Sequence, residues 1–451
     1  MLADIFSASQ LKTDAESLSI WGKDWTNGYV VAPSAIVFPE SNEQVTDVVA
    51  YAIDAGVALV ASGGRTGLSG GAVASHGEVV VSFDRMNKVL DFNAEDRIAT
   101  CQAGVVTQVL QALAEEQGLF YPVDFASSGS SQIGGNVATN AGGIKVIRYG
   151  LTRDWVAGLR VVTGKAALLN CNAGLVKNAT GYDFRHLFIG SEGTLGLITE
   201  VDVRLAAAPE PQIVLVLGVP AIADLLKVLS TFNKQIALSA FEFFSDLALE
   251  KVLAHRDLPK PLSENADYYA LLEFDESQLD AATNCFEACM RAGWVTDGVV
   301  SQSQAQAKNL WQLRESISES LAPYTPYKND LSVRIQDVPE FLLEVDSFVN
   351  QSYPGFEVVW YGHIGDGNLH LNILRPEHLS VEEFMAKGHA MSPKIFALVQ
   401  ARHGSISAEH GVGLVKKDFL KYSRSEDEIE LMRGLKQLFD PHQILNPGKL
   451  L

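Results

Sequence analysis

Three glycine clusters punctuate the first 200 residues of this chain and constrain its fold more than any other feature. The first, SGGRTGLSGG (62–71), follows the apolar run VALVA (57–61). Its glycines let the backbone fold closely around an anion with several N–H groups turned inward. No Gly-Lys-Ser/Thr ends it, so it is not a Walker loop, and no GxGxxG fingerprint occurs anywhere in the chain. That argues against a Rossmann nicotinamide site. The second cluster, GSSQIGGNVATNAGG (129–143), carries six small polar side chains in fifteen residues, a composition suited to a long polar cofactor threaded past backbone. The third, GSEGTLG (190–196), is a further close-approach turn before a strand. Taken singly, any of the three reads equally well as a surface turn; the second shifts the balance toward a binding loop.

A chain of 451 residues with 47% hydrophobic and 20% charged residues has core material for two or three globular domains. Thirty-five Lys+Arg against 54 Asp+Glu leave a net charge of −19, which opposes nonspecific adhesion to nucleic acid or anionic membrane. Four cysteines (Cys101, Cys171, Cys285, Cys289) are too few for a disulfide scaffold and point to reduced thiols and a cytoplasmic setting. No apolar run approaches the roughly 20 residues of a bilayer span. The opening MLADIFSASQ lacks a basic segment followed by an apolar one, so no export signal is expected.

Along the chain, 35–38, 57–61, 78–82, 158–163 and 195–205 read as strands. Residues 41–55 read as a helix capped by Ser41, with another helix at 105–117. APEPQ (208–212) marks a domain boundary. Beyond it, a β-α-β-β-α order over 213–291 predicts an α+β sheet with helices on one face. A helical run at 304–322 and an amphipathic helix at 425–440 follow.

His363 and His370 flank Gly-Asp-Gly-Asn in a strand-like segment, and Glu409-His410 lies in SISAEHGVG. Two histidines and a carboxylate are a common ligand set for a catalytic divalent metal with an open position. Each histidine alone is more simply a satisfied turn residue; the set, in glycine-rich surroundings, favours the metal. Asp366 reads as a turn cap, and the remaining histidines have no comparable setting. Arg314 and Ser318, four apart, share a helical face, with Lys328 further on. Arg314 can hold a carboxylate bidentately. The plainer alternative pairs it with Glu315 or Glu319.

The sequence of motifs SGGRTGLSGGA, PVDFASSGSSQIGGNVATNAGG, NATGYDFRHLFIGSEGTLGLITE, HIGDGNLHLNI, SISAEHGVG and LNPGK resembles the FAD-linked D-2-hydroxyacid dehydrogenases of the vanillyl-alcohol oxidase / p-cresol methylhydroxylase family. The resemblance spans essentially the whole chain. It implies an α+β architecture: an FAD-binding domain (1–208), a substrate-binding cap domain (209–404) and a C-terminal segment (405–451) returning to the FAD domain. The resemblance assigns the FAD pyrophosphate to Gly63, Gly64, Arg65, Thr66, Gly67 and Leu68. It assigns the ribityl chain and flavin to Gly129, Ser130, Gly134, Gly135, Asn136, Thr139 and Asn140. Glu192 and Ile198 fall toward the adenosine end, and Asn446 returns to the flavin. With Arg65-Thr66 where some relatives carry a linking histidine, the FAD is expected to be noncovalent. His363, His370 and Glu409 match metal ligands, usually zinc, and His410 matches the catalytic base. Substrate contacts fall to Arg314, Ser318, Lys328 and Asn372.

The reaction so implied places the substrate hydroxyl on the metal, its proton on His410 and the C2 hydride on flavin N5. A second cation, Lys328, favours a dicarboxylate such as D-2-hydroxyglutarate over D-lactate. The expected electron acceptor is electron-transfer flavoprotein or a quinone, and a homodimer is the assembly allowed for, with the oligomeric state not fixed by the sequence. The competing class is a noncatalytic subunit that holds FAD for structure or electron transfer; the His/His/Glu set with His410 argues against it.

Overall fold

The computed structural model describes every residue from Met1 to Leu451, and the chain divides into two compact units. The first comprises Met1–Gly143, Gly150–Ala208 and Glu409–Leu451; the second comprises Ile144–Tyr149 and Pro209–Ala408.

In the first unit, β1 (Leu11–Lys12), β2 (Ala35–Val37), β3 (Leu59–Ser62) and β4 (Val79–Ser82) form a sheet in the order β1-β2-β4-β3. The last three strands run parallel. Both faces are covered, so these strands read as unbroken apolar runs. Val37, Leu59, Val79 and Val81 pack with Val45, Val48, Val49 and Ala52 of the helix Asn42–Ala55, while Ile36, Val60 and Val80 face Phe38. Ser41 caps that helix by accepting from Gln44 N, and Gly56 ends it in the left-handed region at φ 64°. A second, antiparallel sheet contains β5 (Val89–Asn93) and β6 (Ile98–Gln102). After the short β7 (Leu119–Phe120), it takes in β8 (Val156–Thr163), β9 (Leu168–Cys171) and β10 (Gly196–Arg204). The order is β5-β6-β10-β8-β9, and β11 (Ala206–Ala207) pairs with β7. The first glycine cluster thus begins where β3 ends, and the third ends where β10 begins.

The second unit is built on seven strands: β12 (Gln212–Val219), β13 (Leu238–Ser245), β14 (Tyr268–Asp275), β15 (Asp297–Val300), β16 (Tyr327–Ser332), β17 (Val358–Gly362) and β18 (Asn368–Ile373). They pair antiparallel in the order β15-β12-β14-β13-β17-β18-β16. Two expectations are corrected here. A helix, Asp246–His255, stands between β13 and β14, so the order is β-α-β-α-β-α-β. Its cap, Ser245, accepts from Ala248 N directly at the strand's end, and the run FEFFSDLALEKVL therefore shows no break in the sequence. Helices also cover both faces. Ala248, Leu249, Leu310 and Trp311 pack with Val214, Val216 and Phe244 on one side, whereas Leu217 and Phe286 approach Gly298 from the other.

Ile144–Tyr149 sits in the second unit through Arg148, which donates to both Asp275 oxygens at 2.8 and 3.0 Å, and through Lys145 at 3.0 Å from Glu273. Residues 405–408 stay with it because Ser332 and Ser405 exchange backbone hydrogen bonds of 2.9 and 2.8 Å. All four cysteines are buried and unpaired as thiols. No helix is long and apolar enough to cross a membrane.

Candidate active site

The glycine clusters of the first unit meet. A Cβ at Gly64 would lie 2.1 Å from Ser130 O, and one at Gly134 would lie 2.5 Å from Ala103 Cβ, so only glycine lets these loops touch. The third cluster joins the second through Gly190 N to Val137 O (3.0 Å) and Glu192 N to Ala138 O (2.8 Å). Asn446 ties in the C-terminus: its Nδ2 donates to Gly71 O (3.1 Å) and Glu192 O (2.7 Å), and its Oδ1 accepts from Lys449 Nζ (2.6 Å). Burial pushes the Lys449 ammonium down to about 8.

Several of the expected FAD-contacting side chains are engaged inside this assembly. Asn136 Nδ2 donates to Thr107 Oγ1 (2.7 Å), Thr139 Oγ1 to Gly135 O (3.1 Å), and Asn140 Oδ1 accepts from Arg153 N (3.0 Å). Arg65, with φ 60°, turns to Gly63 O and Asp84, and Ile198 lies in the core of the second sheet. Gly67, Leu68, Gly129, Ser130 and Gly135 remain exposed on this surface. Gly63 and Thr66 are half-buried beside it. Gln132 Oε1 and Ser191 Oγ are buried without a hydrogen-bond partner. Exposed glycine-rich loops bordered by buried polar atoms without partners fit an elongated polar cofactor.

Glu192 performs a second task. Its carboxylate accepts from Val412 N and Gly413 N, both at 2.7 Å. Burial pushes this carboxyl up while the two amides pull it down. Gly413, at φ 49°, presses against Ser69, where a Cβ would meet Ser69 O at 2.2 Å. This clasp fixes the backbone directly after Glu409-His410.

In the second unit the polar centre gathers around Tyr361 on β17. The Arg314 guanidinium lies 4.7 Å from its ring centroid, and the His370 ring lies 4.9 Å away. Burial pushes the Tyr361 hydroxyl up, opposed by the Arg314 charge and by the polar side chains of Ser318 and Asn372 beside it. Lys328 Nζ donates to Ser318 Oγ at 3.0 Å, and in the β16–β18 register Lys328 stands opposite Asn372. The protein around Lys328 pushes its ammonium down from the usual lysine value. The structure thus brings all four expected substrate contacts together.

Arg314 departs from both simple pictures of it. The helix Gln304–Glu315 ends at Ser316 before Ile317–Ser320 resumes, so the shared face is interrupted. Arg314 is 6% exposed and pairs with neither neighbouring acid. Its partner is Glu242 of β13, with Nη2 2.8 Å from Oε2, while Glu319 pairs with Arg256. Arg314 Nε and Nη2 and Glu242 Oε2 are all buried without a hydrogen bond of good geometry, so the pair is held by charge.

His363 follows β17 directly, and His370 lies on β18, with the two rings 5.3 Å apart. Between them Asp366 caps the turn, accepting from Asn368 N at 3.1 Å. Burial pushes the Asp366 carboxyl up to about 6 against the pull of His363. Ligand atoms of His363, His370 and Glu409 all lie within 4.8 Å of one another. His363 Nδ1 is 2.7 Å from Glu242 Oε1, a carboxylate contact of the kind that orients a metal-binding imidazole.

Sequence reasoning did not single out Glu242 or Tyr361. Glu242 did carry a signal, a lone carboxylate inside the apolar strand LSAFEFFS. Tyr361 carried none, since VVWYG reads as ordinary core.

Two family signatures match the chain: "FAD binding domain" over residues 33–172 and "FAD linked oxidases, C-terminal domain" over residues 208–450. The chain is 57% identical over 452 residues to D-2-hydroxyglutarate dehydrogenase of Stutzerimonas stutzeri, covering 100% of this chain and 97% of that protein. It is 38% identical to the mitochondrial D-2-hydroxyglutarate dehydrogenase of Bos taurus, covering 97% of this chain and 80% of the other. Two solved structures share the fold. One is 4-ethylphenol oxidase from Gulosibacter chungangensis (TM-score 0.77, 16% identity) and the other is p-cresol methylhydroxylase (TM-score 0.76, 14% identity). Each match covers 100% of this chain and 95% of the other.

Proposed function

The chain belongs to the family of FAD-linked oxidases, and from that premise we propose that it oxidises D-2-hydroxyglutarate to 2-oxoglutarate. The observation that carries the substrate reading is the joining of two cations, Arg314 and Lys328, through Tyr361 and Ser318. A dicarboxylate uses both, whereas D-lactate leaves Lys328 without a role. Arg314 offers its guanidinium charge to one carboxylate, and Lys328 a point charge to the other, with Asn372 alongside.

The glycine-rich loops of residues 63–68 and 129–140 and their neighbours would hold FAD, which would supply the two-electron acceptor for the hydrogen leaving C2. His363, His370 and Glu409 would hold a divalent cation, with zinc suited to two imidazoles and a carboxylate, and that cation would supply charge that acidifies the substrate hydroxyl. His410 takes the hydroxyl proton, a step for which a neutral imidazole is poised near neutral pH. The Glu192 clasp on Val412 and Gly413 keeps Glu409 and His410 in fixed succession. With no nicotinamide fingerprint, the electrons pass on to an electron-transfer flavoprotein or a quinone.

The first loop contains no histidine, and the FAD is accordingly noncovalent. Acid precipitation should release all yellow colour into the supernatant; colour kept in the pellet contradicts the attachment. The metal ligands lie outside the glycine clusters. Chelation should therefore abolish turnover of D-2-hydroxyglutarate while leaving the flavin spectrum unchanged, and added zinc should restore the rate. Full activity in a demonstrably metal-free sample would remove the cation from the reaction.

A further inference from the structure

Glu242 is a carboxylate only 1% exposed, in a strand whose neighbours Phe241 and Phe243 are themselves buried. Such a group is costly unless it is fully partnered. Its two oxygens divide between two residues: Oε1 lies 2.7 Å from His363 Nδ1, and Oε2 lies 2.8 Å from Arg314 Nη2. The strand cannot slide, because β13 pairs with β17 through Phe243↔Gly362 and Phe244↔Tyr361, directly before His363. One anion therefore fixes both a metal-site imidazole and the buried guanidinium.

We propose that Glu242 is the positioning residue that couples the metal site to the carboxylate-binding cation. Accepting from Nδ1 sets the His363 tautomer that leaves Nε2 as the donor to a cation and raises its basicity. The ion pair holds Nη2 of Arg314 against this carboxylate at 2.8 Å and so fixes the plane of the guanidinium. The Tyr361 ring against the same guanidinium restricts it from a second side. Removing the charge of Glu242 strands a buried Arg314 and loosens His363 in the same step. This inference rests on the metal reading of His363, His370 and Glu409.

The test is Glu242→Gln in the full-length holoenzyme, with zinc affinity measured by chelator competition. Glutamine keeps the size and one accepting oxygen but loses the charge. Zinc Kd should rise about 10- to 100-fold, as it does when an outer-shell partner of a ligand histidine is lost. KM for D-2-hydroxyglutarate should rise at least about fivefold, and FAD content should not change. Glu273→Gln is the control: Glu273 is a buried carboxylate on adjacent β14, partnered by Lys145 and Trp311, and its loss should leave zinc Kd unaltered even if Tm falls. If Glu242→Gln does not fold, Glu242→Asp, which keeps the charge but withdraws it by one methylene, is read by the same zinc measurement. His363→Ala separates the two layers. Weakened zinc binding in His363→Ala with wild-type zinc Kd in the Glu242 variant overturns the proposal and keeps the metal site. Unchanged zinc binding in both overturns the metal site and the proposal together.

Discussion

Replacing His410 with asparagine should lower kcat for D-2-hydroxyglutarate about 10²- to 10⁴-fold while the protein stays folded and yellow. General base catalysis contributes about that factor, roughly 3–5 kcal/mol of barrier. The residue sits one position beyond Glu409 in a segment held from behind by the Glu192 carboxylate and pressed on Ser69. Asparagine retains a polar side chain at the position but cannot accept a proton at neutral pH. Rapid mixing of substrate with oxidised enzyme, followed by the loss of flavin absorbance, isolates the step in question. The acidic limb of the pH–rate profile should disappear in the variant, because protonation of an imidazole no longer limits the reaction. Flavin reduction within about threefold of wild type would remove His410 from the proton transfer, since base catalysis contributes far more than that.

Lys328→Ala should lower kcat/KM for D-2-hydroxyglutarate by roughly 30-fold or more and change D-lactate far less. Truncating a charged hydrogen-bond partner in a binding site costs about 2–5 kcal/mol, and 1.4 kcal/mol is a factor of ten. D-lactate has no distal carboxylate to lose. Arg314→Ala should damage both substrates. Because the protein around the Lys328 ammonium lowers its pKa, it deprotonates at lower pH than an ordinary lysine. KM for the dicarboxylate should therefore begin to rise on the alkaline side below the usual lysine range, and Lys328→Ala should abolish that limb. Equal losses for both substrates would instead place Lys328 in support of the fold.

The parts of the fold legible in the sequence are those written locally. Ser41 with Gly56 brackets one helix, and Ser425 with Glu428 forms the capping box that opens the terminal helix Glu426–Phe439. The unbroken apolar strands and the glycine clusters between them are equally local signals. What escaped is set by contacts distant in sequence. The helix Asp246–His255 follows β13 with its cap residue already in the strand, so no turn signal separates them. Ile144–Tyr149 belongs to the second unit because Lys145 and Arg148 find Glu273 and Asp275, partners that no spacing rule identifies. The same holds in the site. Arg314 read as a helix-surface cation because its nearest acids in sequence are Glu315 and Glu319, while its partner Glu242 stands on a strand far earlier in the chain. The histidines and Glu409 were legible because glycines and small residues mark them, not because the sequence brings them near one another.

The most direct test of the substrate assignment is anaerobic titration of the purified FAD-loaded protein with D-2-hydroxyglutarate, L-2-hydroxyglutarate and D-lactate, following bleaching of the flavin. The account predicts complete reduction by D-2-hydroxyglutarate at a rate at least as fast as dye-coupled turnover, slow reduction by D-lactate and none by the L-enantiomer. A protein that retains FAD and zinc yet is reduced by none of the three, or faster by D-lactate than by D-2-hydroxyglutarate, would contradict it.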